Sequence, residues 1–292
     1  MAVTRRFQSA TFPALPDFMS YRIWDCFSLP SSARPNGTLE VAIEALLQKA
    51  DRFGIERISP YLHIGMGTLA PGREAPDVED PARIRRCFER WPDRLVGFVF
   101  LNPHNPRACL EAMDRWIKDG PMAGIVFQDA PPAGLVSSHP NHDAIVRRAH
   151  ELGAVIMHYT WYYTGGKRNA SESTPADLAE LAQRHPEITF VCSHAGGEWE
   201  KGIRAIYRHA NIVAETSGFD PTSGFVDMAV RELGAERVIY GGHLPSRSIG
   251  TEFGKVLGAK LTEQERYLVF GENFRRILKP LFTKRGRSLD RL

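Results

Sequence analysis

The feature that most constrains this chain is a repeated alternation. Eight short apolar runs (YRIWDCF, IERISPYLHI, RLVGFVFL, MAGIVFQ, AVIMHYT, ITFVCSH, NIVAETS and RVIYGGH) are separated by longer amphipathic segments. Runs of this kind, rich in β-branched and aromatic residues, read as buried strands. The intervening patterns include TLEVAIEALLQKADRFG, NPRACLEAMDRWIKDG, NHDAIVRRAHELG, TPADLAELAQRHP and TSGFVDMAVRELG. Several open on a capping residue and stop at Gly or Pro, as helices do. Eight strand–helix units without an evident linker predict a (β/α)8 TIM barrel in a single α/β domain, because an open doubly wound sheet normally holds fewer strands. The barrel is expected over residues 21–280, after an N-terminal extension (1–20) and before a basic C-terminal tail (281–292).

Composition narrows the partners. Lys and Arg total 37 against 34 Asp and Glu, and the small excess lies at the two ends, so no basic face for nucleic acid is predicted. Those ends are expected to be frayed and solvated. Cys26, Cys87, Cys109 and Cys192 form no CxxC pair, and two of them sit within apolar runs. Reduced thiols and a cytoplasmic location are expected. The first twenty residues lack a continuous apolar stretch and no later window reaches membrane-spanning length, so no membrane association is predicted.

A barrel of this type carries its functional groups where strands run into the following helices. The predicted ends hold Asp25, Cys26 and Phe27; His63; Asn102 and His104; Gln128 and Asp129; His158; His194; Glu215 and Ser217; and His243. Five of the ten histidines fall there; His139, His142, His150 and His185 fall in helices or connections and are expected at the surface, and His209 at a helix end. A single strand histidine is usually a buried, hydrogen-bonded side chain. Three that converge are another matter, because imidazole both binds metals and transfers protons near neutral pH. His158, His194 and His243 are therefore expected to share one mouth. Trp161, Tyr163, Arg247, Asn102 and His104 are the candidate substrate contacts, with Lys167 and Arg168 as further cations. In SHAGGEWE, Gly196 and Gly197 before a helix offer backbone N–H groups for a carboxylate, or simply a tight turn.

The segments HYT, ITFVCSHAGGEWEKGIRAI, AETSG, LGAERVIYGG with its following proline, and GENFRRIL together resemble the amidohydrolase-related (amidohydrolase 2) branch of the metal-dependent hydrolases. The resemblance runs from about Tyr21 to Leu278. It implies a distorted TIM barrel that hydrolyses amides or lactones, or decarboxylates aromatic and related acids, commonly around zinc or manganese. It makes His158 the strand-five ligand and His194 the strand-six histidine that binds metal or polarises the scissile group. The family's first strand ends Asp-x-His-x-His; here Asp25 is followed by Phe27 and Leu29 at the two histidine positions. Val126 stands where strand four often carries a lysine, and His243 stands where strand eight normally carries an aspartate. The resemblance thus implies a degenerate member of the family.

Two readings follow. In one, a hydrolase or decarboxylase-type lyase acts on a small organic acid, amide or lactone, with His243 as general base, His194 as electrophile or ligand and His158 as ligand or orienting residue. Such a site would hold one zinc or manganese ion through His158, His194 and His243, or work without metal. In the other, the barrel is a catalytically silent binding or scaffolding subunit that partners an active paralogue. Self-association into a homo-oligomer, or a hetero-oligomer with that paralogue, is expected in either case.

Overall fold

The computed structural model describes residues 21–30, 38–62, 80–127, 135–163, 172–218 and 223–289. The 1–20 extension, His63, Gln128, Asp129, Lys167 and Arg168 lie outside the described residues. Eight parallel strands follow one another in chain order: β1 (Ile23–Ser28), β2 (Ile55–Leu62), β3 (Phe98–Leu101), β4 (Gly124–Phe127), β5 (Val155–Tyr159), β6 (Phe190–Ser193), β7 (Ile212–Glu215) and β8 (Val238–Ile239). The two edges meet, with the Cys26 amide donating to the Tyr240 carbonyl at 3.2 Å and the Leu29 amide to the Leu244 carbonyl at 2.6 Å. The sheet therefore closes into the predicted (β/α)8 barrel.

Helices α1 (Leu39–Asp51), α2 (Pro81–Arg90), α3 (Pro106–Met113), α4 (Asn141–Leu152), α5 (Pro175–Arg184), α6 (Trp199–Ile206), α7 (Phe225–Leu233) and α8 (Ile249–Leu257) alternate with the strands. Their starts follow from local chemistry. Asp80, Asn105 and Thr174 each accept a hydrogen bond from an amide of the first turn, and a proline follows each cap, where its missing N–H costs nothing. α4 stops at Gly153, whose φ of 73° is the left-handed conformation glycine accepts most readily. No described helix is long and apolar enough to cross a membrane.

After α9 (Glu263–Tyr267), the chain runs through a wider π-type turn into α10 (Asn273–Lys284). Here the expected boundary is corrected. Residue 281 lies inside a packed helix: Leu281, Phe282 and Leu289 are buried. The Arg285 guanidinium also donates to the carbonyls of Ile117, Gly120 and Met122. The alkyl and aromatic groups of this stretch outweigh its charges, so the described part of the tail belongs to the domain.

Inside the barrel, Tyr61, Phe98 and Phe100 pack together, with ring centroids 5.3 and 5.9 Å from Tyr61. Met157 reaches the Tyr61 hydroxyl, which also donates to the Cys26 carbonyl at 3.0 Å. Successive strand residues point to opposite faces, so with Met157 directed inward, Tyr159 is inward too and His158 is outward.

Candidate active site at the barrel mouth

Two of the three predicted histidines meet. His194 follows β6, His243 follows β8, and their rings stack with centroids 5.0 Å apart and planes 26° from parallel. Among the described residues these are also the two non-glycine residues with positive φ, 64° at His194 and 48° at His243. Left-handed backbone at such residues costs on the order of 1–3 kcal/mol each and clusters at functional sites. It also explains the aim of the side chains, since each residue turns just beyond its strand and no longer obeys the pleat.

His158 does not join them. Its ring packs 5.2 Å from Phe127 and 5.5 Å from His142, behind the sheet against α4. The expected trio is corrected to a pair, and the inward place on β5 belongs to Tyr159, whose ring stands edge-on to His194 at 4.6 Å. The expectation of surface exposure is corrected for two helix histidines as well. His142 is fully buried against the barrel wall, and His185 is buried with Nε2 2.7 Å from Asp143 Oδ1.

Both mouth rings are pinned through Nδ1. His194 Nδ1 lies 2.8 Å from the Ser217 carbonyl, 3.1 Å from Ser217 Oγ and 3.3 Å from Glu215 Oε2. A carbonyl only accepts, so Nδ1 carries the proton and Nε2 is the basic nitrogen. His243 Nδ1 lies 2.6 Å from Ser246 Oγ, whose hydroxyl donates in turn to the His243 carbonyl at 3.1 Å. That places the same tautomer on His243.

Two carboxylates beside the rings are driven in opposite directions. Burial works to raise Glu215, but the His194 ring and the hydroxyl and amide of Ser217 outweigh it and hold the carboxyl below its usual range. Its oxygens also accept from Ser193 Oγ at 3.2 Å and the Ser217 amide at 2.5 Å. Asp25 is pushed up to about 8 by burial, against the opposing pull of the Phe27 and Gly242 amides, and by the charge of Glu215. One acid is thus ionised and its neighbour protonated at neutral pH, the split that separates acid from base roles in active sites. Burial, then the adjacent His194, push His243 down to about 3, so it is neutral.

The Gly241–Gly242 pair that ends the eighth apolar run is explained by these carboxylates. A β-carbon at 241 would overlap Glu215 Oε1, and one at 242 would stand 2.6 Å from Asp25 Oδ2. The glycines let the strand-eight backbone lie against both acids.

Of the predicted substrate contacts, Trp161 stands edge-on to His194 at 6.1 Å. Arg247 sends its amide to the His243 carbonyl at 3.1 Å, and its charge acts on the His243 ring. Tyr163 is at the outer rim, donating to Glu172 at 3.1 Å. Asn102 accepts from the His104 amide in the turn before α3, and the His104 side chain is exposed. The Gly196–Gly197 turn is not an anion cradle: the Gly197 and Glu198 amides both donate to the Tyr162 carbonyl, at 2.6 and 3.3 Å. Sequence reasoning located Asp25 and Glu215 at strand ends but gave them no role; an acidic residue inside an apolar run was the available signal.

The family model described as amidohydrolase (Amidohydro_2) matches residues 56–279. The chain belongs to this family. No curated protein matches the sequence. Among solved structures it is similar to 2,6-dihydroxybenzoate decarboxylase in complex with 2,6-dihydroxybenzoate, at 17% identity and TM-score 0.66 over 89% of this chain and 98% of that one. 5-Carboxyvanillate decarboxylase from Sphingomonas paucimobilis aligns at 15% identity and TM-score 0.63, over 89% and 99%. A dihydroxybenzoic acid decarboxylase from Polaromonas sp. JS666, with bound manganese and the inhibitor 2-nitroresorcinol, aligns at 13% and 0.63, over 92% and 98%. At these identities the likeness is one of fold.

Among the described residues, those facing the mouth are poorly suited to such an ion. Phe27, Val126 and Tyr159 supply no strong donor, and His158 faces away. An imidazole binds metal in its ring plane, so two stacked rings cannot both aim at one ion. Among the described residues no group of three or more His, Cys, Asp and Glu side chains is arranged to hold a metal.

Proposed function

We propose that this chain is a hydrolase of small lactones, amides or related organic acids that works by acid–base catalysis at His194. The observation that carries this reading is the backing of His194 by Glu215 and Ser217. An ionised carboxylate and a carbonyl behind Nδ1 fix the tautomer and present Nε2 as a base, the logic of carboxylate–histidine pairs generally. His194 rather than His243 is then the general base, because Glu215 lies 3.3 Å from the His194 Nδ1 whereas burial pushes His243 down to about 3. In hydrolysis, His194 Nε2 would take the proton of the attacking water and return it to the leaving oxygen or nitrogen. Tyr159 and Trp161 would wall the substrate, and Arg247 would attract a carboxylate.

Decarboxylation is the family alternative, and the same groups would serve it, with protonated Asp25 as the proton source. A silent subunit beside an active paralogue is the second reading, favoured by one observation: Phe27 stacks on His243 at 4.5 Å and closes in on His194 at 5.1 Å.

The test is turnover of a panel of γ- and δ-lactones, N-acyl amides and hydroxybenzoates by tag-free protein, with a His194→Ala control. The acid–base reading expects a substrate whose turnover falls by about 10²–10⁴-fold in the variant. Turnover indifferent to His194, or no turnover together with stoichiometric co-purification of a paralogue, would overturn it.

A further inference from the structure

We infer that the mouth of this barrel takes no divalent metal ion, because a stack of three aromatic rings replaces the donors of a metal centre. Phe27, His243 and His194 form the stack, with centroid separations of 4.5 Å at 20° and 5.0 Å at 26°. The first ring is hydrocarbon. It sits at the first of the two histidine positions that the family pattern places on strand one, and its face covers the imidazole of His243. Among the described residues around the stack, two further positions offer no strong donor. Val126 on β4 is apolar, in register with Met157 on β5, and the inward group at the end of β5 is a phenol in edge contact with His194.

Of the acids nearby, Glu215 accepts from Ser193 Oγ and the Ser217 amide and lies 3.3 Å from His194 Nδ1, while Asp25 Oδ1 is held by two backbone amides beneath Gly242 and its Oδ2 is buried without a hydrogen-bond partner. A divalent ion needs several donors converging on one point. Here the imidazole planes run nearly parallel, and the apolar Phe27 ring lies against the face of one of them. The inference does not depend on the acid–base reading; it would stand equally for a silent subunit.

The experiment is elemental analysis of tag-free full-length protein, followed by calorimetric titration with Mn²⁺ and with Zn²⁺ and by thermal melts with and without each ion. The expected result is sub-stoichiometric metal, no saturable heat and an unchanged melting temperature. A Phe27→His/Leu29→His/His243→Asp variant restores donors and is expected to take up one ion and to melt several degrees higher with it, since an ion that binds only the folded state stabilises it. One equivalent of Mn²⁺ or Zn²⁺ in the wild-type protein, lost in His194→Ala, would overturn the inference. A folded triple variant that still takes no ion would overturn the assignment of the loss to these three positions. Should that variant fail to fold, the wild-type titration decides alone.

Discussion

Among the described residues, two pairs of histidine rings pack together, one on each side of the same barrel wall, and they are built differently. His194 and His243 are 5.0 Å apart at the mouth, on left-handed backbone, with Glu215 and Asp25 beside them. His142 and His158 are 5.5 Å apart behind β5, on a regular helix and a regular strand, against Phe127. Burial pushes His142 down to about 4, and burial together with His142 pushes His158 down to about 3. The outer pair is neutral packing material whose backbone would exist with other side chains. The inner pair sits on strained turns with a carboxylate pressed on its ring. Equal proximity thus carries unequal meaning: on the proposed reading, what marks the working histidine is the group behind its second nitrogen and the backbone that aims it.

The sharpest way to break this contrast is to delete one member of each pair. His194→Ala should lower turnover by about 10²–10⁴-fold while the fold persists by circular dichroism, and His158→Leu should leave turnover within a few-fold. Equal losses in the two variants would erase the distinction.

Acid sensitivity should test whether burial holds the outer pair neutral. A buried histidine held below 6.5 protonates more readily once the chain unfolds, so the stability it supports is present above that value and is lost as the pH falls toward 3–4. The combined cost is on the order of several kcal/mol. Asp25, raised to about 8, acts with the opposite sign: its contribution is complete below 3.8 and disappears as the pH rises through 8. Urea unfolding between pH 4.5 and 8.5 should therefore show a flattened acid limb in His142→Leu/His158→Leu and a flattened alkaline limb in Asp25→Asn. An acid limb unchanged in the double variant would mean that the outer pair is not held neutral by burial.

A smaller effect is expected at Gly241. Its added methyl in Gly241→Ala must displace the Glu215 carboxylate. Overpacking of this kind costs about 1–3 kcal/mol. Turnover should fall further than the melting temperature alone would explain, and a variant with wild-type kinetics would show that Glu215 need not stay where it is.

Most of the architecture was legible because eight apolar runs with helical patterns between them have few other ways to bury themselves. The site was legible in part. His194 and His243 were found from their place just past apolar runs, where the mouth must be. His158 was misplaced because β5 is buried on both faces, and a run without hydrophobic alternation does not say which parity points inward. His142 was assigned to the surface because a helix pattern alone does not reveal that a polar ring faces a second polar ring across the wall. The split between Asp25 and Glu215 depends on which amides, rings and charges reach each carboxyl, and those partners are hundreds of residues apart in places, as Gly242 is from Asp25. The tail was misjudged because its charges were weighed and Leu281, Phe282 and Leu289 were not.

The central claim is that Glu215 holds His194 as the working base. Its most direct test is the turnover of Glu215→Gln, measured after chelation on whichever panel substrate the wild-type protein cleaves fastest, beside its thermal melt. The account predicts a fall of about 10²-fold or more in kcat, because an amide keeps the shape of the carboxylate but loses the negative charge beside His194 Nδ1. A folded Glu215→Gln protein with wild-type kcat would contradict it.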